Sequence, residues 1–193
     1  MEDSLSVSLF LLALATGNHI SELNAFLRLD DFITFSLEGV TLYPNPNFLA
    51  KNECPSVRRD PIFISCLGGE EGRPHPLCPV DNLRRFLLLS RDTKSSKLFV
   101  HPKSLGDLSI AKLRWYLCRC IRWADPSSFP KAHDLRKIAT SFAFFRNMST
   151  SEICNLVGWQ SVGVFKKHYL KQISEISSPV VVLGSKLSGS VKD

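Results

Sequence analysis

Residues 108–124, "LSIAKLRWYLCRCIRWA", repeat apolar side chains at Ile110, Leu113, Leu117 and Ile121. That spacing lies on one side of a helix and repels any strand assignment. Pro126 and Pro130 stop it. Similar blocks follow it, each closed by a breaker. Residues 133–147 read as a second helix, and Ser149-x-x-Glu152 is a capping box opening a third, which Gly158 ends. Residues 161–171 make a fourth, and residues 79–92 form an earlier one that starts at Pro79. A chain so built is mostly helical.

The first third differs. Residues 5–15, apolar apart from Ser6 and Ser8, read as a buried helix, broken at Gly17-Asn18. The run looks like a secretory core, but Met1-Glu2-Asp3 is acidic where a leader is basic, and the run is too short to span a membrane. Its abrupt start suggests missing upstream sequence. "HISELNAFLRL" reads as a helix from near His19, with Ile20, Leu23, Phe26 and Leu27 at helical spacing. Residues 32–42 alternate around Glu38-Gly39 and predict a hairpin. "NPNFLAK" and "DPIFISCL" are further strand candidates, and "KLFVH" is an extended piece. The expected fold class is α+β: mostly α, with a small antiparallel sheet near residues 32–66. No internal repeat or phosphate-loop pattern is present.

The formal charge is +6, unevenly spread. Residues 1–50 carry one basic and six acidic side chains, whereas residues 51–193 carry 23 basic and 12 acidic ones. A basic surface suits a polyanion such as DNA or RNA, and equally suits plain solvation. The six cysteines lack ligand spacing, so a zinc site is not expected. They read as reduced, mostly buried thiols.

His133 and Arg136 stand three apart at the start of a helix, where a cation pair fits a bound anion. Phosphate is the natural candidate. Tyr169 lies among Lys166, Lys167, His168 and Lys171. A hydroxyl in cationic company ionises more readily and can attack phosphorus. The same residues also fit a core tyrosine beside solvated lysines. Residues 149–171 further fit a helix-turn-helix with a lysine-rich second helix against DNA.

Put together, these motifs resemble the tyrosine recombinase (phage integrase) family. Its C-terminal signature corresponds here to His133-Asp134-Leu135-Arg136-Lys137-Ile138-Ala139-Thr140, then Leu156-Val157-Gly158-Trp159, then Tyr169. Its first box, A-T-G-x-R-x-S-E-L, corresponds to Ala15-Thr16-Gly17-Asn18-His19-Ile20-Ser21-Glu22-Leu23. Lys51 and Arg58-Arg59 lie in the hairpin region where the family carries a lysine. Within the family, the recombinases of DIRS-like retrotransposons and Cryptons are the most similar.

The resemblance implies a catalytic domain over residues 1–175, incomplete at its N-terminus, and a tail over residues 176–193 that packs in cis or docks on a neighbour. It implies cutting and rejoining of double-stranded DNA through a 3′-phosphotyrosine, without cofactor or metal, in the service of recombination or integration of a mobile element. Tyr169 is then the nucleophile. Arg136 clamps the non-bridging oxygens. His133 moves a proton or donates to phosphate, and Lys51 protonates the leaving 5′-oxygen. Trp159 stands where many members have His, and its indole N–H still donates one hydrogen bond. Arg58, Arg59, Lys137, Lys166 and Lys167 are expected to contact DNA. A nuclear location, a homodimer or tetramer on DNA, and no membrane contact follow from the same resemblance.

One departure matters. His19 replaces the first-box arginine, exchanging a charged planar fork for a shorter imidazole that is mostly neutral at pH 7. The expectation is an impaired enzyme. The alternatives are a catalytically dead DNA-binding relic of the same fold, and an unrelated helical interaction domain.

Overall fold

A left-handed glycine ends the first helix and sets the path of the chain beyond it. The computed structural model describes residues 1–50, 60–68, 75–127, 129–157, 159 and 162–165. Helix α1 (Glu2–Thr16) carries Glu2 and Asp3 in its first turn, where they complement the helix dipole. At its other end Gly17 adopts φ 60° and ψ 16°, and its N–H donates to the Ala13 carbonyl. Glycine takes this conformation without a Cβ penalty. The Thr16 hydroxyl donates to the Leu12 carbonyl at 2.8 Å and accepts from the Asn18 N–H at 3.3 Å. The chain turns within three residues and enters α2 (Ile20–Ala25), with His19 at the N-cap.

Helix α1 is central to the first part of the structure. It packs against α3 (Pro79–Leu89), α4 (Ile110–Ala124) and strand β3 (Ile62–Ser65). Leu5, Leu9 and Leu12 are fully buried. Each such leucine contributes about 1.5–3 kcal/mol relative to an exposed one. Burial on several sides explains why residues 5–15 are mostly apolar all round rather than amphipathic. Ser8 is buried too, and its hydroxyl donates to the Asn82 carbonyl on α3 at 2.7 Å, so the polar group is satisfied.

The expected hairpin forms. Strand β1 (Ile33–Phe35) pairs antiparallel with β2 (Gly39–Leu42), in the register Ile33 with Leu42 and Phe35 with Val40. Strand β3 pairs antiparallel with the other edge of β2, giving the order β1-β2-β3. The strand expected in "NPNFLAK" does not form over its described part. Asn45 lies between Pro44 and Pro46, its Oδ1 accepts the Asn47 N–H at 2.9 Å, and its carbonyl accepts the Phe48 N–H at 3.1 Å. The asparagine builds a turn, and the prolines lack ladder donors.

Pro79 opens α3 as expected, and Ser109 caps α4 by accepting the Lys112 N–H at 3.3 Å. The buried stripe of α4 is Leu113, Tyr116 and Leu117. Ile110, in its opening turn, is 39 % exposed rather than buried. The expected extended piece at "KLFVH" is not a strand: Lys97 bridges Leu27 and Val100 bridges Asp107, and the chain bends at residues 98 and 99 between them. The helix-rich architecture with one small antiparallel sheet is the predicted class.

The chain divides into two units, Met1–Thr140 and Ser141–Asp193. The division falls within α5 (Asp134–Phe145). In the second unit, α6 (Thr150–Val157) and α7 (Val162–Phe165) gather Ile153, Cys154 and Phe165 into a small core. The Ser149 box closes as expected: Glu152 accepts the Ser149 N–H at 2.8 Å, and the Glu152 N–H donates to the Ser149 hydroxyl at 3.2 Å. Among the described residues the cysteines are free, but only Cys78 and Cys154 are buried; Cys66, Cys118 and Cys120 are half-buried. Among the described residues no helix is long and apolar enough to cross a membrane.

Candidate functional site

The turn made by Gly17 and Asn18 delivers His19 to the N-cap of α2, and α5 delivers His133 and Arg136 to the same place. The two imidazoles stack, with ring centroids 5.3 Å apart and planes 10° from parallel. Both histidines are exposed, whereas Arg136 is 3 % exposed. They line a cleft of about 350 Å³ together with Asn18, Arg114 and Lys131.

Arg136 is held by an acid from the other motif. Its Nη1 lies 3.4 Å from Glu22 Oε2, and the Glu22 side chain is itself 8 % exposed. The same carboxylate oxygen accepts the backbone N–H of His19. Glu22 therefore ties the α2 N-cap to the α5 guanidinium, fixing both in one frame.

Two basic groups in the opening of α5 oppose its dipole. Asp134 offsets this. Its carboxylate accepts the Lys131 N–H at 2.7 Å and pairs with Lys137 Nζ at 3.3 Å. Lys137 is thus engaged at the surface beside the cleft. Burial lowers the His133 pKa, and the nearby Lys137 and Arg136 charges lower it further, against a smaller opposing effect of Asp134. The lowered pKa favours the neutral ring, the form that can accept a proton.

The cleft gathers cationic and protonatable donors around space, with backing from a buried arginine. Such a site can bind a phosphate group and stabilise charge that builds on its oxygens. Among the described residues no group of three or more His, Cys, Asp or Glu side chains could hold a metal ion.

Of the residues expected from sequence, His19, His133 and Arg136 meet in this cleft, and Lys137 flanks it. Trp159 belongs to the second unit. There its ring packs 6.2 Å from that of Phe165, and its backbone N–H donates to the Cys154 carbonyl at 2.8 Å. Lys51, Arg58, Arg59, Lys166, Lys167 and Tyr169 lie outside the described residues. Sequence reasoning missed Arg114 and Lys131. Arg114 follows Leu113 at the edge of the apolar stripe of α4, and that border position was its one visible signal. Lys131 carried no signal, since it lies in a connection. Glu22 was visible as part of a motif, but its grip on Arg136 was not.

Comparison with solved structures identifies the architecture. The chain matches XerH site-specific recombinase bound to difH substrate, in a pre-cleavage complex, with TM-score 0.63 and 16% identity, covering 90% of this chain and 45% of that one. It matches XerA recombinase with TM-score 0.58 and 14% identity, covering 92% and 61% of the two chains. It matches a lambda integrase dimer bound to a COC' core site with TM-score 0.53 and 15% identity, covering 86% and 51%. The chain has the tyrosine recombinase catalytic-domain fold and spans about half the length of these structures. No protein-family model matches the sequence, and no curated protein matches it either.

Proposed function

We propose that this chain binds double-stranded DNA and cuts and rejoins it through a covalent link at Tyr169. The observation that carries the reading is the meeting of His19, His133 and Arg136 in one cleft, with Arg136 locked to Glu22. The similarity of the fold to recombinases described as bound to their substrate or core sites supports it.

In this reading the Tyr169 oxygen attacks the scissile phosphorus. The bond to the 5′-oxygen breaks, leaving a 3′-phosphotyrosine and a 5′-hydroxyl. Arg136 neutralises the extra charge on the non-bridging oxygens, and the cleft donors beside it share that load. His133 accepts or returns a proton as the phosphorus is attacked, while Lys51 supplies the proton for the leaving oxygen. Trp159 donates one hydrogen bond to phosphate. Rejoining runs the same steps backwards, because the phosphotyrosine conserves the energy of the diester. Arg58, Arg59, Lys137, Lys166 and Lys167 neutralise DNA phosphates, so affinity falls with salt. The setting is recombination or integration by a mobile element in the nucleus, with copies of the chain assembling on DNA.

His19 favours a second reading, a DNA-binding relic with slow or no chemistry. The imidazole offers fewer donors than the arginine it replaces and stacks on His133 rather than reaching out as a fork.

Relaxation of supercoiled plasmid, with denaturing gels for protein–DNA adducts, tests both. The chain as it stands, Tyr169→Phe and His19→Arg are compared. Adducts that vanish in Tyr169→Phe support the enzyme. Adducts formed by His19→Arg alone support the relic. DNA binding at low salt without adducts from any of the three would leave a binding module, and no binding at all would sink the proposal.

A further inference from the structure

Helix α4 has a second face that neither its core packing nor the phosphate cleft uses. The helix contains Lys112, Arg114, Arg119 and Arg122 and no acidic residue. Trp115 is 50 % exposed and Trp123 is 89 % exposed. Residues 115, 119, 122 and 123 are spaced for one side of a helix, away from the buried Leu113 and Leu117. Two large aromatic rings left in water among cations require a reason, since an indole normally buries most of its surface.

Trp115 is held in place before anything binds. The Arg119 guanidinium lies 5.3 Å from its ring centroid and Lys112 Nζ lies 5.9 Å from it, while Tyr116 meets it edge-on at 4.9 Å. A ring fixed by neighbours loses little entropy when a flat partner stacks on it. Arg119 is also steadied by Glu2, the acid from α1 that reaches this face. Beside the rings is a cleft of about 370 Å³, lined by Trp115, Cys118, Arg119, Arg122, Trp123 and Pro126.

Cations interleaved with aromatic faces fit a ligand that alternates anions with flat rings. We infer that this face of α4 docks unpaired nucleotides of a single DNA strand, with bases stacked on Trp115 and Trp123 and phosphates against Arg119 and Arg122. A duplex hides its base faces inside its own stack, so the two indoles call for unpaired bases. The eight-residue separation of the tryptophans is about 12 Å along the helix, so the two rings meet different bases of one strand. An acidic peptide would satisfy the guanidinium groups but would leave the indoles without flat partners.

Cys118 lines both this cleft and the cleft of His133 and Arg136. The two share a wall, so a strand leaving one can enter the other. That continuity rests on the phosphate reading of the first cleft. The stacking face itself does not depend on chemistry at Tyr169.

The test is fluorescence anisotropy of labelled oligothymidylate and of a duplex of equal length, at low salt. The full chain carrying Tyr169→Phe is compared with the same chain carrying Trp115→Ala, Trp123→Ala or both. Each loss should weaken oligothymidylate binding by about tenfold, the order expected for one stacked base, and leave duplex affinity within about twofold. Both rings are substantially exposed, and circular dichroism checks that the variants fold. Unchanged oligothymidylate affinity in the double variant overturns the inference, as does an equal loss for duplex, which would mark a general duplex contact. Loss of self-association in sedimentation with unaltered DNA binding also overturns it, and assigns the face to a protein partner. Failure of the plasmid assay alongside tryptophan-dependent oligothymidylate binding would remove the recombinase reading and leave this one standing.

Discussion

Glu22 and Arg136 form a buried ion pair, 3.4 Å between Oε2 and Nη1, joining residues that lie 114 positions apart. It ties the box around His19 to the motif around His133 and holds the guanidinium facing the cleft. Glu22→Ala leaves a buried charge without its counter-ion, and the expected cost is about 3–5 kcal/mol. Glu22→Gln keeps an acceptor for the His19 N–H and should cost less. Urea denaturation measures both. An alanine variant within about 1 kcal/mol of the parent, inside the spread of ordinary single substitutions, would show that the pair does not organise the site.

Replacing His19 with arginine should raise activity. The position is exposed at the N-cap of α2, so a longer side chain has room. One added phosphate donor of this kind is worth about two to three orders of magnitude in rate. Single-turnover adduct formation on nicked plasmid reads it directly. If His19→Arg and the parent form adducts equally fast, the imidazole is already sufficient.

DNA affinity should strengthen as pH falls through the histidine range. Burial and the charges of Lys137 and Arg136 depress the His133 pKa in the free protein, Asp134 opposing them. His19, Arg114 and Lys131 share its cleft. A bound phosphate favours the protonated ring, so binding takes up a proton wherever the free ring is neutral. Anisotropy between about pH 8 and pH 6 should show tighter binding at the acid end, with His133 ordinarily near 6.5, and His133→Gln should flatten the profile. Folding has its own dependence. Because the folded pKa is depressed, the unfolded chain protonates first as pH drops below its ordinary value. The neutral ring then stabilises the fold above that value and loses its contribution as pH falls toward the folded one. A profile unchanged by His133→Gln would assign the titration elsewhere.

Gly39 should not tolerate a side chain. A Cβ there would lie 2.2 Å from the Ile64 carbonyl oxygen and 2.9 Å from the Phe63 ring. The oxygen belongs to the neighbouring strand, so β2 and β3 would have to part. Gly39→Ala is expected to cost about 1–3 kcal/mol, typical of overpacking, visible as a lower thermal midpoint. An alanine variant as stable as the parent would mean that the sheet shifts at no cost.

Local signals placed the elements well. Pro79 and Ser109 open helices, Gly17 closes one, and the Ser149–Glu152 box starts another, because each acts on backbone groups within four residues. Where a local signal misleads, the cause is also local: the short apolar run Phe48-Leu49-Ala50 suggests a strand, but Asn45 between two prolines builds a turn there. The pattern around Ile110 was less informative, since periodicity gives a face but not where its burial ends.

The helices, the hairpin and the cationic motifs could all be read from residue order, since periodicity, caps and breakers are short-range. The cleft could not. His19, Arg114, Lys131, His133 and Arg136 come together because α1 packs against α4 and because Glu22 reaches across to α5. Contacts over such separations depend on how side chains fill a shared core, and no spacing along the chain encodes that filling.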